Sequence, residues 1–165
     1  MAKSAFFLCF CLVLSAASTT GTRGLRPHAS RADYAVTCFT EDIGVGATLV
    51  KPEAVLRLFG EEVHRNYLVV EVGFYSKNRS VFEVRHADFR LRNRPSRKLV
   101  NAADPEVIAS SLSTPVSWMD KTLPQVPTSQ AVAGYLFFPI TESASAYELD
   151  YTGYGAWLTL PLRPE

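Results

Sequence analysis

The amino-acid sequence predicts a mainly β protein, an antiparallel sandwich of about seven strands with short accessory helices. Three observations support this fold class. Stretches in which apolar and polar residues alternate recur along the chain of 165 residues. Polar turns separate these stretches, and helical patterns are few. The composition, 47% hydrophobic and 20% charged, is typical of a globular domain and excludes collagen, coiled coil and general disorder.

The first 17 residues have the pattern of a secretory signal peptide. Lys3 precedes an unbroken apolar stretch at 5–14, and the small residues at 15 and 17 suit cleavage after Ala17. A stretch this short falls below the roughly 20 residues that cross a bilayer as a helix, so a retained anchor is the weaker alternative. We therefore expect a secreted or periplasmic protein with no transmembrane span after cleavage.

Cleavage would leave a formally neutral chain with one cysteine. Removing Lys3 from the 17 basic residues leaves 16, which balance 16 acidic ones, so net charge favours neither nucleic acid nor an acidic substrate. Cys38 would have no intramolecular disulfide partner, and burial alone must hold the core. Residues 18–32 are polar and lack an apolar period, which predicts a flexible leader before a single domain at 33–165.

Two elements precede the central strands. Residues 34–39 alternate as a strand, which places Cys38 in a sheet face as a small hydrophobe rather than a reactive thiol. Residues 51–60 predict a short amphipathic helix, because Pro52 suits the first helical position and Gly60 suits a C-terminal stop. The apolar face of this helix is too small to stand alone, so we expect it to close an open end of the sheets.

The clearest strand lies at 67–75, and a turn connects it to a shorter strand at 82–84. Even-numbered residues from 68 to 74 are apolar and line one face, while odd-numbered residues line the other. Farther on, the parity of the apolar residues changes, so the register must slip between His86 and Asp88. A bulge, or a strand that passes from one sheet to the other, is the simplest cause.

Residues 93–131 form a long connection that holds five of the ten prolines. Asp104-Pro105 predicts one helix start in it, and Thr114-Pro115 predicts a second. A loop of this length in a compact domain is often functional or mobile. The connection is therefore a candidate for determining specificity.

The last third of the chain predicts three more strands. The first of them ends at Pro139, and the segments 147–151 and 156–162 alternate apolar with polar residues. The last two strands are expected to form a hairpin around Thr152-Gly153. With about seven strands and polar turns, the pattern is typical of an antiparallel sandwich.

Three segments carry a resemblance to a known family. A long strand closes on an Asn-containing turn (YLVVEVGFYSKN), a following strand ends in Asp-Phe-x-Leu at 88–91, and a Gly-led strand ends in Phe-Pro at 134–139. Across residues 60–160 the chain resembles the immunoglobulin-like β-sandwich domains that many bacteria export and that have no assigned function. The resemblance implies an immunoglobulin-like sandwich and no shared catalytic residues. The helix at 52–59 and the connection are additions to it.

The strongest charge feature is the stretch 85–98, which holds six basic residues and only Asp88 as an acidic one. An exported protein rarely meets nucleic acid, so none is expected as a partner. The expected partners are another envelope protein or an anionic envelope surface, such as polysaccharide or phospholipid headgroups. The candidate partner-binding residues are Arg85, Arg90, Arg92, Arg94 and Trp118.

A simpler interpretation of the basic stretch is structural. Arg90 and Arg92 alternate with apolar residues, which places them on the solvent side of a strand. On that side they could pair with the acidic Glu148 and Asp150 of a neighbouring strand. Pairing of this kind would leave fewer free charges for a partner.

The sequence carries no motif for catalysis or metal binding. It has no Gly-x-Ser-x-Gly elbow, and Cys38 lies in a strand pattern rather than at a helix start. His64 and His86 are too few donors for a soft metal, and no spaced Asp/Asn loop for calcium occurs. We therefore expect no enzyme activity, no cofactor and no metal. Asn78-Arg79-Ser80 matches a glycosylation acceptor in a turn.

These observations predict an exported, non-catalytic binding or structural module of the cell envelope that can act as a monomer. The alternative is a hydrolase or small-ligand carrier with a pocket between the sheets and the 93–131 connection, lined by Trp118, Tyr135 and Phe137. A deep cavity with converging polar groups would favour the alternative. A packed core with a flat charged face would favour the module.

Overall fold

The computed structural model describes residues 24–113 and 115–164, so the predicted signal peptide at 1–17 lies outside the described residues. The strands are β1 Val36–Phe39, β2 Ile43–Leu49, β3 Tyr67–Ser76, β4 Phe89–Asn93, β5 Leu99–Asn101, β6 Val132–Pro139, β7 Tyr147–Tyr151 and β8 Leu158–Leu162. They form two four-stranded antiparallel sheets, with the order β1-β2-β3-β6 in the first sheet and β5-β4-β7-β8 in the second. The chain is thus mainly β, as predicted, and its immunoglobulin-like arrangement stays a prediction.

Helices are few and short. The α-helices are α1 Pro52–Phe59, α2 Glu61–Asn66 and α3 Pro105–Ser111, and 3-10 turns occur at Arg31–Asp33, His86–Asp88 and Met119–Lys121. The predicted helices at Pro52 and Pro105 therefore form, each with its proline in the first turn. Thr114 lies outside the described residues, and the second helical turn in the connection comes later, at Met119–Lys121.

The two sheets pack on each other over one apolar core. Phe74 of β3 has its ring centroid 5.8 Å from that of Phe89 on β4 and 5.1 Å from that of Tyr151 on β7. The even-numbered residues of β3 face this core, and the odd-numbered Val69 belongs to a second cluster on the opposite side of the sheet. The alternation predicted for 67–75 is confirmed.

The predicted set of strands differs from the observed one in three places. The sequence pattern misses β2, because Gly44 and Gly46 lower its apparent β propensity, and it misses the three-residue β5. The predicted strand at 82–84 does not form. Phe82 is buried and exchanges two 2.8 Å backbone hydrogen bonds with Thr128, but the pairing extends no further.

The predicted change of register between His86 and Asp88 marks the passage between sheets. A 3-10 turn occupies these residues, and the chain leaves the first sheet at the end of β3 and enters the second at β4. The chain does change sheet before β4, but it does so in the connection 77–88 that ends in this 3-10 turn, and not within one continuous strand. The hairpin predicted around Thr152-Gly153 forms between β7 and β8.

Helices α1 and α2 cover the outer side of the first sheet, rather than closing an end of the sandwich as expected. Phe59 of α1 meets Tyr135 and Phe137 of β6 edge to face, at centroid distances of 5.0 and 5.3 Å. Val63 of α2 and Val69 of β3 join the same buried cluster. The outward residues of β3 and β6 are too apolar to face water, and this explains the position of the helices.

Residues 24–34 run across the rest of this outer side. The amide of Leu25 donates to the carbonyl of Ala133 over 2.8 Å, and the ring of Tyr34 lies over the paired glycines Gly46 and Gly73. A Cβ at either glycine would collide with this ring. The described part of the predicted leader at 18–32 is therefore ordered along the sheet, because aromatic and backbone contacts replace the apolar period that it lacks.

Candidate binding face

The outer side of the second sheet is the one large strand surface that no described helix covers. Its residues form two cross-strand rows over β5, β4, β7 and β8. We call this surface, with the β4–β5 turn, the basic face. The two rows are Asn101–Arg90–Asp150–Thr159 and Leu99–Arg92–Glu148–Pro161.

Arg92 is fixed at the centre of the basic face. Its guanidinium lies 2.6 Å from Asp150 and 3.4 Å from Glu148 on the neighbouring strand, as predicted from the alternation of β4. The carboxylate of Asp150 is almost fully buried and also accepts a 2.8 Å hydrogen bond from the hydroxyl of Thr159. A buried carboxylate needs such partners, so this triad holds β4, β7 and β8 in register.

Arg94 and Arg97 extend the basic face at the β4–β5 turn. Arg94 lies 3.1 Å from Glu148 through its Nε and is 53% exposed, which leaves much of its guanidinium open. The backbone of Arg97 has φ of 59° and donates to the carbonyl of Asn93 over 2.8 Å, which fixes the turn. Together with Arg92, Leu99 and Glu148, these two arginines line a groove of about 570 Å³.

The basic face keeps an excess of positive charge after its ion pairs are counted. Five basic side chains belong to it and its turn, against three carboxylates, one of which contacts the hydroxyl of Ser96. The excess is two charges, so the groove attracts anions. The residues counted are Arg90, Arg92, Arg94, Arg97 and Lys98 against Glu142, Glu148 and Asp150.

Trp157 stands at the opposite end of the same surface and is 72% exposed. It directly precedes β8 and alternates with the buried Leu158, so it shares the outward parity of Thr159 and Pro161. A tryptophan this exposed is uncommon on a folded protein. Strand alternation in the sequence could have identified it.

Two of the predicted binding residues lie away from the basic face. Arg85 precedes the 3-10 turn, pairs with Glu83 at 3.5 Å, and lines a separate depression of about 500 Å³ with Phe82 and Tyr154. Trp118 is only 3% exposed, so it is buried and offers no surface to a macromolecular partner. Burial against the helices removes it from the surface.

The predicted pocket at Trp118, Tyr135 and Phe137 is filled by side chains. Phe59 packs among all three, with its ring centroid 5.8 Å from that of Trp118. An open cleft of about 520 Å³ lies beside this cluster, between residues 58–62 on one side and residues 112–113 and 115–118 on the other.

Most of the shifted pKa values among the described residues belong to buried groups, and partial burial also raises the pKa of the half-buried Tyr75. Burial lowers the pKa of His86, although a 3.0 Å contact of its Nε2 with the carbonyl of Leu123 opposes the shift. Burial likewise raises the pKa of the hydroxyls of Tyr34, Tyr135 and Tyr151. His86 is thus a core residue.

Two further observations concern metals and membranes. Among the residues that the structure describes, no group of three or more His, Cys, Asp or Glu side chains is placed to hold a metal ion. None of the helices in that part of the chain combines the length and apolar character needed to cross a membrane. Cys38 has a free thiol and is half-buried against the main core.

No protein-family model and no curated protein sequence matches the chain. Among solved structures, the yjhA protein of Bacillus subtilis superposes with a TM-score of 0.50 at 11% identity, over 80% of this chain and 98% of that one. A Bacillus subtilis protein described as a "putative lipoprotein (ycdA)" superposes with a TM-score of 0.49 at 19% identity, over 77% of this chain. This chain spans 38% of the ycdA chain.

The likeness to yjhA concerns the fold alone, because identity is far below the level at which function is shared. Neither of the two descriptions names an activity or a ligand. Function must therefore be argued from the surfaces of this chain.

Proposed function

We propose that the protein is an exported, non-catalytic binding module that docks an anionic partner of the cell envelope on its basic face. The observation that carries the proposal is the groove of about 570 Å³ in which Arg94 and Arg97 open beside the fixed guanidinium of Arg92. A guanidinium already held by carboxylates loses little side-chain entropy when an anion arrives.

Export is supported by the start of the sequence. The apolar stretch at 5–14 and the small residues before Ser18 have the order that signal peptidase requires. We propose cleavage after Ala17 and a secreted or periplasmic location. An envelope partner would then be reached without any membrane span in the mature chain.

The small-ligand carrier is the second candidate function, and the open cleft beside Phe59, between residues 58–62 and 115–118, supports it. The aromatic residues proposed as its lining are packed against Phe59, however, and the cleft opens at their side. The basic face is the better-supported site, because its charges converge on one groove.

Binding to the envelope tests the module. The purified protein is incubated with an envelope fraction, and the bound part is measured at low and high ionic strength. We expect Arg94→Gln with Arg97→Gln to weaken binding by about tenfold, from two partly screened charge contacts of up to about 1 kcal/mol each. Salt should weaken binding of the unchanged protein in the same way.

Arg57→Gln with Arg65→Gln is the matched control, because these exposed arginines lie on α1 and α2, on the other side of the molecule. It makes the same change of net charge and should leave binding unchanged. Equal loss in both double variants would refute the basic face as the docking site.

Mass spectrometry of the protein recovered from its host tests cleavage after Ala17, and it should give Ser18 as the first residue.

A further inference from the structure

We propose that the ligand of the basic face is an acidic polysaccharide, with a sugar ring stacked on Trp157 and its acid groups held by Arg94 and Arg97. The inference rests on the proposed function and adds to it a class of ligand and a second contact. Its evidence is the placement of an exposed indole and an arginine groove on one strand surface.

The first step concerns Trp157. The exposed indole offers a flat apolar ring that no described side chain covers. The turn before it is fixed by Gly155, whose φ lies in the left-handed region, and by a 2.9 Å hydrogen bond that the amide of Ala156 donates to the carbonyl of Gly153. The C–H groups on one face of a pyranose ring pack well against such a ring. A large aromatic side chain left in water is typical of a contact made with a partner.

The second step is the distance between the two contacts. Trp157 directly precedes β8 and lies four residue steps before Pro161, which is opposite Glu148, and Arg92 lies one strand beyond Glu148 in the same row. At about 3.3 Å per residue this separation is about 13 Å. One small anion cannot reach both contacts, so the ligand must be extended along the strands.

The polarity of the surface between the two contacts favours a saccharide over a protein partner. Between the two contacts the surface is polar, with Thr159, Arg90 and Asn101 exposed or half-exposed around the buried Asp150. Protein interfaces concentrate their apolar residues in a contiguous centre, and this surface lacks one. Hydroxyl groups of a sugar chain can instead donate to the carboxylates and accept from the arginines.

The concave shape of the groove favours a saccharide over a membrane surface. Arg94 and Arg97 line a concave groove, whereas contact with a bilayer plane favours residues that protrude together. A linear acidic chain can lie in the groove and continue toward Trp157. Charge complementarity with the excess of two positive charges favours a uronic-acid polymer over a neutral one.

The experiment uses the two tryptophans as reporters. Trp118 is buried and Trp157 is exposed, so acrylamide quenching and a red-shifted emission report on Trp157. The probes are polygalacturonate, dextran as a neutral chain, polyglutamate, and phosphatidylglycerol vesicles. We expect polygalacturonate alone to bind with a blue shift and with protection of Trp157 from quenching.

Variants assign the two contacts. Trp157→Ala should weaken polygalacturonate binding by about tenfold, from an aromatic contact of about 1–1.5 kcal/mol. Trp157→Phe should keep most of the affinity while abolishing the spectral change. Phe39→Ala, which removes an aromatic residue that is 60% exposed on β1, is the matched control and should bind as the unchanged protein does.

The outcomes separate this inference from the proposed function. If polyglutamate or the vesicles bind through Arg94 and Arg97 while Trp157 stays quenchable, the polysaccharide is refuted and the anion-binding module survives. If dextran binds as well as polygalacturonate, the acid groups are irrelevant and the inference is overturned. If no anionic probe and no envelope fraction distinguishes Arg94→Gln with Arg97→Gln from the control, both proposals fail.

Discussion

His86 illustrates how one buried residue makes stability depend on pH. Its side chain is 7% exposed, its Nε2 lies 3.0 Å from the carbonyl of Leu123, and its Nδ1 has no partner among the described groups. The neutral ring with its proton on Nε2 can donate to that carbonyl. Protonation would place a charge in the core, and this is why burial lowers the pKa of His86 in the folded protein.

The sign of the pH effect follows from this lowered pKa. Below the ordinary histidine pKa of about 6.5, the unfolded chain binds a proton that the folded chain does not, so stability falls as pH decreases. We expect the free energy of unfolding to be constant above about pH 7 and to fall below it by at most about 1.4 kcal/mol per pH unit. Urea unfolding curves recorded between pH 5 and pH 8 measure this free energy of unfolding.

His86→Gln is the control for this titration, since an amide can donate to the carbonyl of Leu123 without titrating. The variant should lose stability at all pH values and show a flatter curve between pH 5.5 and pH 7. An equal slope in both proteins would assign the pH dependence to other groups.

At the scale of elements, α1 is held on the first sheet by two buried side chains, Val55 and the larger Phe59. Phe59 contacts the rings of Trp118, Tyr135 and Phe137 at centroid distances from 5.0 to 5.8 Å. The helix has only eight residues and no side-chain cap at its start, so it has little stability of its own. The position of the helix on the sheet must therefore come from the contacts of its buried side chains.

We expect Phe59→Ala to lower the free energy of unfolding by about 3–5 kcal/mol, as is usual when a buried aromatic residue is removed. Emission of Trp118 should shift to longer wavelength, because water reaches the vacated space. Leu56→Ala, on the exposed side of the same helix at 43% exposure, should cost less than about 1 kcal/mol. Equal losses from both variants would contradict the anchoring role of Phe59.

At the scale of the whole molecule, residues 24–34 connect strands that are distant in the first sheet. Leu25 binds β6, the imidazole of His28 lies 3.1 Å from Glu71 on β3, and Tyr34 covers the glycine pair of β2 and β3. The hydroxyl of Tyr75 also donates to the carbonyl of His28 over 3.0 Å. The segment is therefore a structural part of the sheet layer.

Hydrogen exchange tests this role. We expect the amide of Leu25 to exchange at least about 100-fold more slowly than in an unstructured peptide, because it opens only when the segment detaches. Tyr34→Ala should remove most of this protection and leave the central amide of Val72 on β3 protected. Thr37→Ala, an exposed change on β1, is the control. If the amide of Leu25 exchanges at the rate of an unstructured peptide, residues 24–34 are not part of the sheet layer and the predicted flexible leader is the better description.

The candidate site was predictable only in part. Alternation along β4 places Arg90 and Arg92 outward, and the pairing of Arg92 with the acidic residues of β7 followed from this local pattern. Leu99 belongs to the site through a three-residue strand too short to leave a periodic signal, and Arg97 belongs to it through the turn before that strand. Trp118 was misassigned because polarity of the surrounding connection hides the packing that buries it.

Local patterns along the chain were enough to predict the parity of β3, the proline-led starts of α1 and α3, the last hairpin, and a change of register before β4. These depend on side chains a few residues apart. Tertiary structure alone decided that glycines belong in β2, where Tyr34 lies over Gly46, and that helices cover one sheet while the other stays open. Such choices depend on contacts between residues far apart in the chain, whose energies no local pattern records.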